Sequence, residues 1–388
     1  MIIATVHDAA FHEENGIYYC HSIDYNLLTD LMKYFEQVNI VVRRGVKKPG
    51  YVKVDFSNIN VYFVDAITTP SKFMGGAFNT YKVIRNVVLK SDLVYCRGIN
   101  GIIAQYIAKK KGITDLVYLG GCIYDSMKHN GSFYKKIMAK IAFKTYQTSI
   151  KKSSNVIYVS RYLEDKYPTD GKAFTWSGVK INPSTNEIIN NRNKRILNDK
   201  KEITIGLIGY VNNDIKGVDT AIIALRDLDK RYKLKILGAG NHDRYDRLTQ
   251  ELNLTDRVTF CGVLTGGGQV LSWLDGIDIY IQPSLTEGLP KATLEAMSRG
   301  CPVIASRAGG LSDIVSSEYL HEAKDADKLS KLLRQISSSE EEMLKLSKHS
   351  FKVAEQYSQY SMKKAFDSIM IEVTDQAKRA KETNNKTE

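Results

Sequence analysis

The sequence predicts an α/β protein made of two open parallel-sheet domains with a cleft between them. Three observations favour this fold class. Short β-branched runs alternate with amphipathic helical stretches, the chain of 388 residues is too long for one ordinary core, and a polar segment divides it near the middle. Apolar residues make up 43% of the chain and charged residues 25%, which are ordinary globular values and exclude fibrous and disordered classes.

The predicted strands form two series, one in each half of the chain. The first series is 2–6, 38–42, 61–64, 93–96, 116–119 and 156–159. The second series is 203–208, 234–237, 258–261, 277–282 and 302–305. Because we find no hairpin signal between these runs, we expect parallel strands flanked by helices.

The domain boundaries follow from the polar segment. Residues 182–201 are rich in asparagine and charge, which is typical of a linker. We therefore assign 1–181 to an N-terminal domain, 202–360 to a C-terminal domain, and 361–388 to a C-terminal helix with a polar tail that frays from Ala377. Ligands of open α/β sheets bind at the carboxyl ends of the strands, so the predicted cleft is the expected site.

Charge and cysteine content narrow the class of partner and the compartment. The net charge of +12 predicts an anionic partner, but the basic residues are spread out and no nucleic-acid module is found, so we expect no nucleic acid. We find no secretory signal and no apolar run of the roughly 18 to 20 residues that a transmembrane helix needs. The five cysteines lack CxxC spacing, which is typical of reduced thiols in cytosol.

Segment 132–152 combines helical periodicity with a strongly basic character. Its lysines and its apolar residues lie on different faces of the predicted helix. They are Lys136, Lys140 and Lys144 on one face, and Tyr134, Ile137, Met138 and Ile141 on another. A basic amphipathic helix can lie on an anionic membrane surface. An ordinary domain helix with a solvated lysine face explains the same pattern, and the sequence leaves both interpretations open.

The most informative motif lies between residues 277 and 315. Glu287 is placed in a loop after a strand, and Glu295 lies in a helix that begins near Pro290, since proline favours the first turn. Both carboxylates can therefore face one cleft from the start of a single helix. Carboxylate oxygens accept hydrogen bonds from sugar and ribose hydroxyls, and a helix N-terminus suits a pyrophosphate.

These residues resemble the family 4 glycosyltransferases, which have the GT-B fold of two Rossmann-like domains. The likeness rests on the E-x7-E signature from Glu287 to Glu295, framed by PS-x-x-EG before it and LEAM-x-x-G-x-P-V-x-A-S-x-x-GG after it. A second match is the strand-loop-KG segment 205–217. The resemblance implies a retaining enzyme whose C-terminal domain binds a nucleotide-sugar donor and whose N-terminal domain takes the acceptor.

The resemblance also implies roles for individual residues. Glu287 would contact the donor sugar, Glu295 the ribose, and Lys216 the diphosphate, whose negative charge grows as it leaves. Glu287 and Lys216 are thus the catalytic candidates. Further donor contacts are implied for Gly209, Tyr210, Gly217, Gly288 and Leu289. Tyr210 stands where the family usually has an arginine, and a phenol can bind a phosphate oxygen but brings no charge.

The N-terminal half lacks the histidine that many members carry in the loop containing Gly120 and Gly121. The two glycines could allow the backbone to approach substrate closely, as an acceptor or sugar contact. His7, at the end of the first strand, is a candidate substitute that would face the cleft, although a lone histidine is more often structural.

No metal and no resident cofactor are expected, since the nucleotide-sugar is a co-substrate. Asp227-Leu228-Asp229 has the letters of a metal-binding DxD motif but follows a helical run, so we interpret it as a solvated helix end. Gly238-Ala239-Gly240 supplies only half of a G-x-G-x-x-G dinucleotide fingerprint, which disfavours a dehydrogenase.

The resemblance implies transfer of a hexose to a lipid-linked saccharide acceptor in bacterial surface polysaccharide synthesis, for O-antigen or capsule. The enzyme would be cytoplasmic and peripheral on the inner face of the cytoplasmic membrane, held at an anionic surface by helix 132–152. Two alternatives remain open: a sugar-nucleotide isomerase of the 2-epimerase type with the same fold, and a non-catalytic nucleotide-sugar-binding protein.

Overall fold

The computed structural model describes residues 1–65, 70–129, 133–198 and 201–385. Over these residues the chain forms two α/β domains, each built on its own sheet. No helix in the described part of the chain combines the length and apolar character that crossing a bilayer requires.

The N-terminal domain contains a sheet of nine strands over the described residues. They are β1 (Ile2–Glu14), β2 (Ile17–His21), β3 (Gln37–Arg44), β4 (Tyr51–Val54), β5 (Ile59–Val64), β6 (Leu93–Cys96), β7 (Thr114–Leu119), β8 (Asn155–Tyr158) and β9 (Lys172–Thr175). Its parallel part has the order β5-β3-β1-β6-β7-β8-β9. The end of β1 turns antiparallel with β2, which pairs with β4.

Helices cover both faces of this sheet. They are α1 (Ser22–Leu31), α2 (Pro70–Val88), α3 (Gly98–Lys110), α4 (Ile123–His129), α5 (Phe133–Lys151) and α6 (Arg161–Lys166). Successive strand residues face opposite cores, as the period of two requires. In β6, for example, Leu93 and Tyr95 belong to one apolar cluster, while Val94 and Cys96 belong to another.

The C-terminal sheet is parallel throughout its described strands, with the order β12-β11-β10-β13-β14-β15. These strands are β10 (Ile203–Ile208), β11 (Tyr232–Leu237), β12 (Val258–Phe260), β13 (Ile279–Gln282), β14 (Val303–Ser306) and β15 (Leu320–His321). The remaining helices are α7 (Asn186–Leu197), α8 (Val218–Arg226), α9 (Asp243–Glu251), α10 (Gly267–Asp275), α11 (Lys291–Ser298), α12 (Leu311–Ile314), α13 (Ala326–Ser337), α14 (Glu340–Gln356) and α15 (Gln359–Asn385).

Every strand predicted from the sequence is found, but the expectation that no hairpin occurs is wrong. β1 and β2 form a two-residue hairpin in which Glu14 pairs with Ile17. The turn residues Asn15 and Gly16 have φ angles of 52° and 75°. Asn-Gly is the preferred pair for such a turn, because both positions need a positive φ. The signal was therefore present in the sequence.

The segment predicted to be a linker contains α7, which packs on the C-terminal domain. Arg192 is buried and donates hydrogen bonds to the carbonyl oxygens of Leu274 (3.0 Å), Ile277 (2.5 Å) and Arg299 (2.8 Å). A buried arginine thus holds this helix on the domain through hydrogen bonds, whereas most surface helices pack through an apolar face. Because the segment is polar in composition, the sequence suggested a linker.

The chain passes between the domains twice, and the two passages are hydrogen-bonded to each other. Ile181 donates its N–H to the Tyr357 carbonyl (3.0 Å), and Gln359 donates its N–H to the Ile181 carbonyl (3.1 Å). α15 then returns to the N-terminal domain, where Met370 is buried. The predicted fraying from Ala377 is wrong, because Ala377 is buried and the helix continues to Asn385.

Candidate active site

Two loops at the carboxyl edge of the C-terminal sheet carry the main residues of the candidate site. One loop follows β10 and carries Gly209 and Lys216, and the other follows β13 and carries Glu287. Gly217, with φ of 67°, joins them: a Cβ there would lie 1.9 Å from the Pro283 carbonyl oxygen. Only glycine allows this contact between the loops. Gly209 leaves room for the stem of Lys216, whose Cγ would be 2.6 Å from an added Cβ.

Lys216 and Glu287 form an ion pair at this edge, with 2.7 Å between Nζ and Oε1. The same carboxylate oxygen accepts a hydrogen bond from the Ser284 hydroxyl (2.7 Å) and lies 3.4 Å from the Gln282 amide nitrogen. Gln282 and Ser284 are fully buried, and the Glu287 side chain is 9% exposed. The structure thus brings the two predicted catalytic residues into direct contact and fixes the orientation of the carboxylate.

Glu295 lies in the second turn of α11, as predicted. Its carboxylate pairs with the ammonium of Lys291 at 2.9 Å, and its side chain is largely covered. Pro290 is the N-cap residue of α11 and provides no side-chain hydrogen bond there. The first turn of α11 therefore offers the N–H groups and the positive dipole end that suit an anion.

Glycines bring the two domains into contact beside Glu287. A Cβ on Gly288 would lie 2.2 Å from the carbonyl oxygen of Gly120, so the loop after β13 touches the loop after β7. Behind it, Gly310 donates its N–H to the Gly288 carbonyl (2.9 Å). The predicted close approach at Gly120 is thus made by the backbone of the other domain, while the Cβ position of Gly121 faces open space.

A cleft of about 560 Å³ lies between the domains at this contact. Its N-terminal wall includes Asp8, Arg97 and Gly121, and its C-terminal wall includes Glu287. A second chamber of about 460 Å³, lined by Leu289 among others, lies on the other side of Gly120. The cleft predicted from two open sheets is therefore present. Of the two glutamates predicted to face it, Glu287 is in its lining, whereas Glu295 lines neither chamber.

His7 does not line this cleft. The side chain is buried, its Nε2 has no hydrogen-bond partner, and its Nδ1 lies 4.0 Å from an Asp24 carboxylate oxygen. Burial, together with the charge of Arg97, lowers the pKa of His7 to about 3, so the imidazole is neutral. A register irregularity between Val6 and Ala10 turns the chain here. As a result Asp8, rather than His7, reaches the cleft wall.

Sequence reasoning missed Asp8 and Arg97. The Asp8 carboxylate accepts the backbone N–H groups of Ile99 (2.7 Å) and Asn100 (3.3 Å) at the start of α3. Arg97 follows β6 directly, and its guanidinium lies 5.2 Å from the centre of the Tyr118 ring. Both residues directly follow or closely follow a predicted strand. The carboxyl ends of parallel strands meet at one edge of a sheet, so this position could have indicated that they lie at the site.

Tyr210 and the DxD-like residues lie away from the cleft lining. Tyr210 is half exposed, and its hydroxyl accepts a hydrogen bond from the Asn212 side chain. Asp227 caps α8 and pairs with Arg226, as expected of a solvated helix end. Within the described ranges, no group of three or more His, Cys, Asp or Glu side chains is arranged to hold a metal ion.

Comparison with known proteins identifies the family. The family model described as "Glycosyl transferases group 1" matches residues 188–353. Protein CapJ of Staphylococcus aureus is 31% identical over 341 residues, which cover 86% of this chain and 85% of CapJ. The chain belongs to the group 1 glycosyltransferases.

Members of this family and of its fold provide further context. The putative colanic acid biosynthesis glycosyltransferase WcaL of Salmonella typhimurium is 29% identical over 170 residues, covering 40% of this chain and 42% of WcaL. The crystal structure of Anabaena HepE in complex with UDP matches with a TM-score of 0.66 and 14% identity, covering 96% of this chain and all of HepE. The two parallel-sheet domains have the GT-B fold, as the sequence predicted.

Proposed function

We propose that this glycosyltransferase moves a hexose, with retention of anomeric configuration, from a nucleotide-sugar to a lipid-linked saccharide in bacterial surface polysaccharide synthesis. The observation that carries the proposal is the ion pair of Lys216 and Glu287, in which Glu287 lines the interdomain cleft opposite Gly121. The E-x7-E frame supports retention, and the UDP bound by HepE supports a nucleotide donor. The name of WcaL supports polysaccharide synthesis.

The donor would lie across the C-terminal wall. The donor diphosphate becomes more negative as its bond to the sugar breaks. Lys216, which is paired with Glu287, would then interact with both the Glu287 carboxylate and the diphosphate. The N-terminus of α11 would add its dipole to the same phosphates, while Glu295 accepts from the ribose hydroxyls. Glu287 would orient the donor sugar by accepting hydrogen bonds from the sugar hydroxyls, because the hydrogen bond from Ser284 already fixes one oxygen of its carboxylate.

The acceptor would enter from the N-terminal wall, and a neighbouring groove supports a lipid-linked acceptor. This groove of about 600 Å³ shares Ile102, Gln105 and Ser149 with the cleft. Its lining combines apolar surface from Tyr106 with lysine side chains such as Lys144. A hydrocarbon chain could lie there while the saccharide reaches the cleft. Such an acceptor would hold the enzyme on the inner face of the cytoplasmic membrane.

Replacing Glu287 tests the proposal. Glu287→Gln keeps the shape but removes the partner of Lys216, so turnover of the active nucleotide-sugar should fall about 100-fold, or about 2.7 kcal/mol in the barrier. The assay follows transfer with each of a panel of nucleotide-sugars and polyprenyl-linked saccharides, and proton NMR of the product gives the anomeric configuration. Glu318→Gln is the matched control, because Glu318 forms an exposed pair with Lys345 in the same domain.

Three results would contradict the proposal. These are near wild-type turnover in Glu287→Gln, inversion at the anomeric carbon, and conversion of the nucleotide-sugar without any acceptor, which would indicate the isomerase alternative. We also expect transfer to persist in the presence of EDTA, since the DxD-like residues lie at a helix end. Loss with EDTA and recovery with a divalent ion would remove metal independence from the proposal.

A further inference from the structure

Arg97 occupies a central position in the interdomain space. It follows β6 in an extended conformation, with φ of −143° and ψ of 132°, and α3 begins at the next residue. The larger cleft and the second chamber share Arg97, Tyr118 and Gly120 in their linings. The Tyr118 ring beneath the guanidinium restricts where the long side chain can lie. Arg97 is therefore directed into the space where the two chambers meet.

Each of the other described lysines and arginines that line the two chambers is paired with a carboxylate. Lys291 pairs with Glu295 at 2.9 Å, and Lys180 pairs with Asp30 at 3.3 Å. By contrast, no carboxylate of the described residues lies within 4 Å of the Arg97 guanidinium, although the side chain is exposed to the cleft. Arg97 thus keeps its full hydrogen-bonding fork available to a ligand.

Two buried groups, His7 and Asp24, lie close enough to Arg97 to be affected by its charge. Burial, with a contribution from Arg97, lowers the pKa of His7, so the imidazole adds no second cation. Burial raises the pKa of Asp24, and Arg97 only partly opposes this effect. Asp8, on the same wall, is already engaged with the first backbone N–H groups of α3. Among the described residues that line the cleft, Arg97 is the one lysine or arginine on the N-terminal wall.

We propose that Arg97 forms an anion subsite for the acceptor, which would carry a carboxylate or a phosphate on the saccharide unit held in the cleft. The proposal rests on the proposed function, because it assigns the acceptor to the N-terminal wall. In the proposed donor site, Lys216 and the N-terminus of α11 bind the donor phosphates on the opposite wall. A guanidinium binds a planar carboxylate or a phosphate through two parallel hydrogen bonds, so it favours an acidic saccharide over a neutral one.

Matched small probes test this subsite by binding, independently of turnover. Methyl β-D-glucuronide and methyl β-D-glucoside differ only in the carboxylate at C6, and D-glucose 6-phosphate with D-glucose forms the corresponding phosphate pair. Titration by saturation-transfer NMR should show at least tenfold tighter binding of one acidic probe than of its neutral partner by the wild type. In Arg97→Gln that preference should disappear, and Arg97→Lys should keep only part of it. The more strongly favoured pair identifies the anion as carboxylate or phosphate.

Arg85→Gln is the control, because Arg85 is an exposed arginine on α2 outside the cleft lining and its loss changes net charge equally. It should retain the wild-type preference. Equal binding of acidic and neutral probes by the wild type would overturn the proposal, as would a preference that survives Arg97→Gln. Calorimetry with UDP separates the two anions: a tenfold loss of UDP affinity in Arg97→Gln would assign Arg97 to the donor instead. Failure of the proposed function would appear separately, as absence of sugar transfer by wild type.

Discussion

Lys216 and Glu287 neutralise each other before any ligand arrives, and this balance defines the chemistry expected of them. Glu287 is nearly buried and is also held by Ser284, so its position is fixed more firmly than that of the lysine. A diphosphate that approaches Lys216 adds a second anion to the pair. The lysine ammonium then interacts with both the Glu287 carboxylate and the diphosphate. Removing the lysine leaves an unpaired carboxylate, which repels the phosphates.

Lys216→Ala should therefore weaken nucleoside-diphosphate binding by more than tenfold, or about 1.4 kcal/mol, as measured by calorimetry with UDP and GDP. Lys345→Ala, which breaks an exposed pair in the same domain, should leave binding unchanged. Tyr210→Arg restores a cation near the same loop and should tighten binding if it alters it at all. Unchanged binding in Lys216→Ala would show that the phosphates lie elsewhere.

Gly288 provides a test of the interdomain contact, with Gly266 as its control. Gly288→Ala would place a methyl group 2.2 Å from the Gly120 carbonyl oxygen, so the domains must separate to accommodate it. We expect kcat/KM to fall at least tenfold with little change in Tm, because the strain is confined to the contact. Gly266→Ala, at the N-cap of α10 and outside the cleft lining, meets no atom within 4 Å and should resemble the wild type. Equal activity of both variants would mean that the domains need not meet here during turnover.

Helix α5 illustrates what an amphipathic pattern does and does not decide. The predicted basic helix is present, and Ala139 is buried while Lys140 and Lys144 are exposed. Ile141, expected on the apolar face, is 56% exposed. Tyr134, Lys135, Lys136 and Ile137 lie outside the side chains that the structure describes. An exposed isoleucine beside lysines fits a surface that contacts lipid headgroups.

The basic helix should bind anionic vesicles in a salt-sensitive manner and neutral vesicles weakly. Each lysine held near an anionic leaflet contributes about 1 kcal/mol, so replacing Lys136, Lys140 and Lys144 with Glu should abolish sedimentation with phosphatidylglycerol vesicles. Nucleotide binding should be unaffected, because the cleft keeps its C-terminal wall. A control with Lys328, Lys331 and Lys345 changed to Glu carries the same charge change on the other domain. Equal vesicle binding by wild type and the first variant would leave α5 as ordinary domain structure.

The whole molecule is held together by a chain that crosses between its domains twice. α15 belongs to the C-terminal end of the sequence but packs against the N-terminal core, where the Trp176 indole N–H donates to the Met362 carbonyl (2.9 Å). The domain that the sequence assigned to residues 1–181 therefore includes a helix from the other end of the chain. Its stability depends on contacts between residues more than 180 positions apart.

Met370 and Ile371 distinguish the two faces of α15. Met370 is fully buried in the N-terminal core, whereas Ile371 is mostly exposed. Met370→Ala should lower the free energy of unfolding by about 2 to 5 kcal/mol. Ile371→Ala should change it by less than about 0.5 kcal/mol. Urea denaturation followed by circular dichroism measures both, and similar stability of the two variants would show that α15 does not contribute to that core.

The amino-acid sequence by itself determined the strands, the E-x7-E loop and helix, and the family. These features depend on residues that are close together in the sequence. β-branched runs form strands, and the two carboxylates lie on one loop and the helix that follows it. It also contained the Asn15-Gly16 turn, a local signal that our interpretation overlooked.

Only the tertiary structure decided which distant residues meet. Arg97, the contact of Gly288 with Gly120, the burial of His7 and the docking of α15 all depend on how strand ends and domains are juxtaposed. Such juxtapositions arise from the packing of whole elements against one another, and each buries side chains that are widely separated along the chain. Residue spacing constrains neighbours within a helix or strand, but it does not encode which loop of one domain will close on which loop of the other.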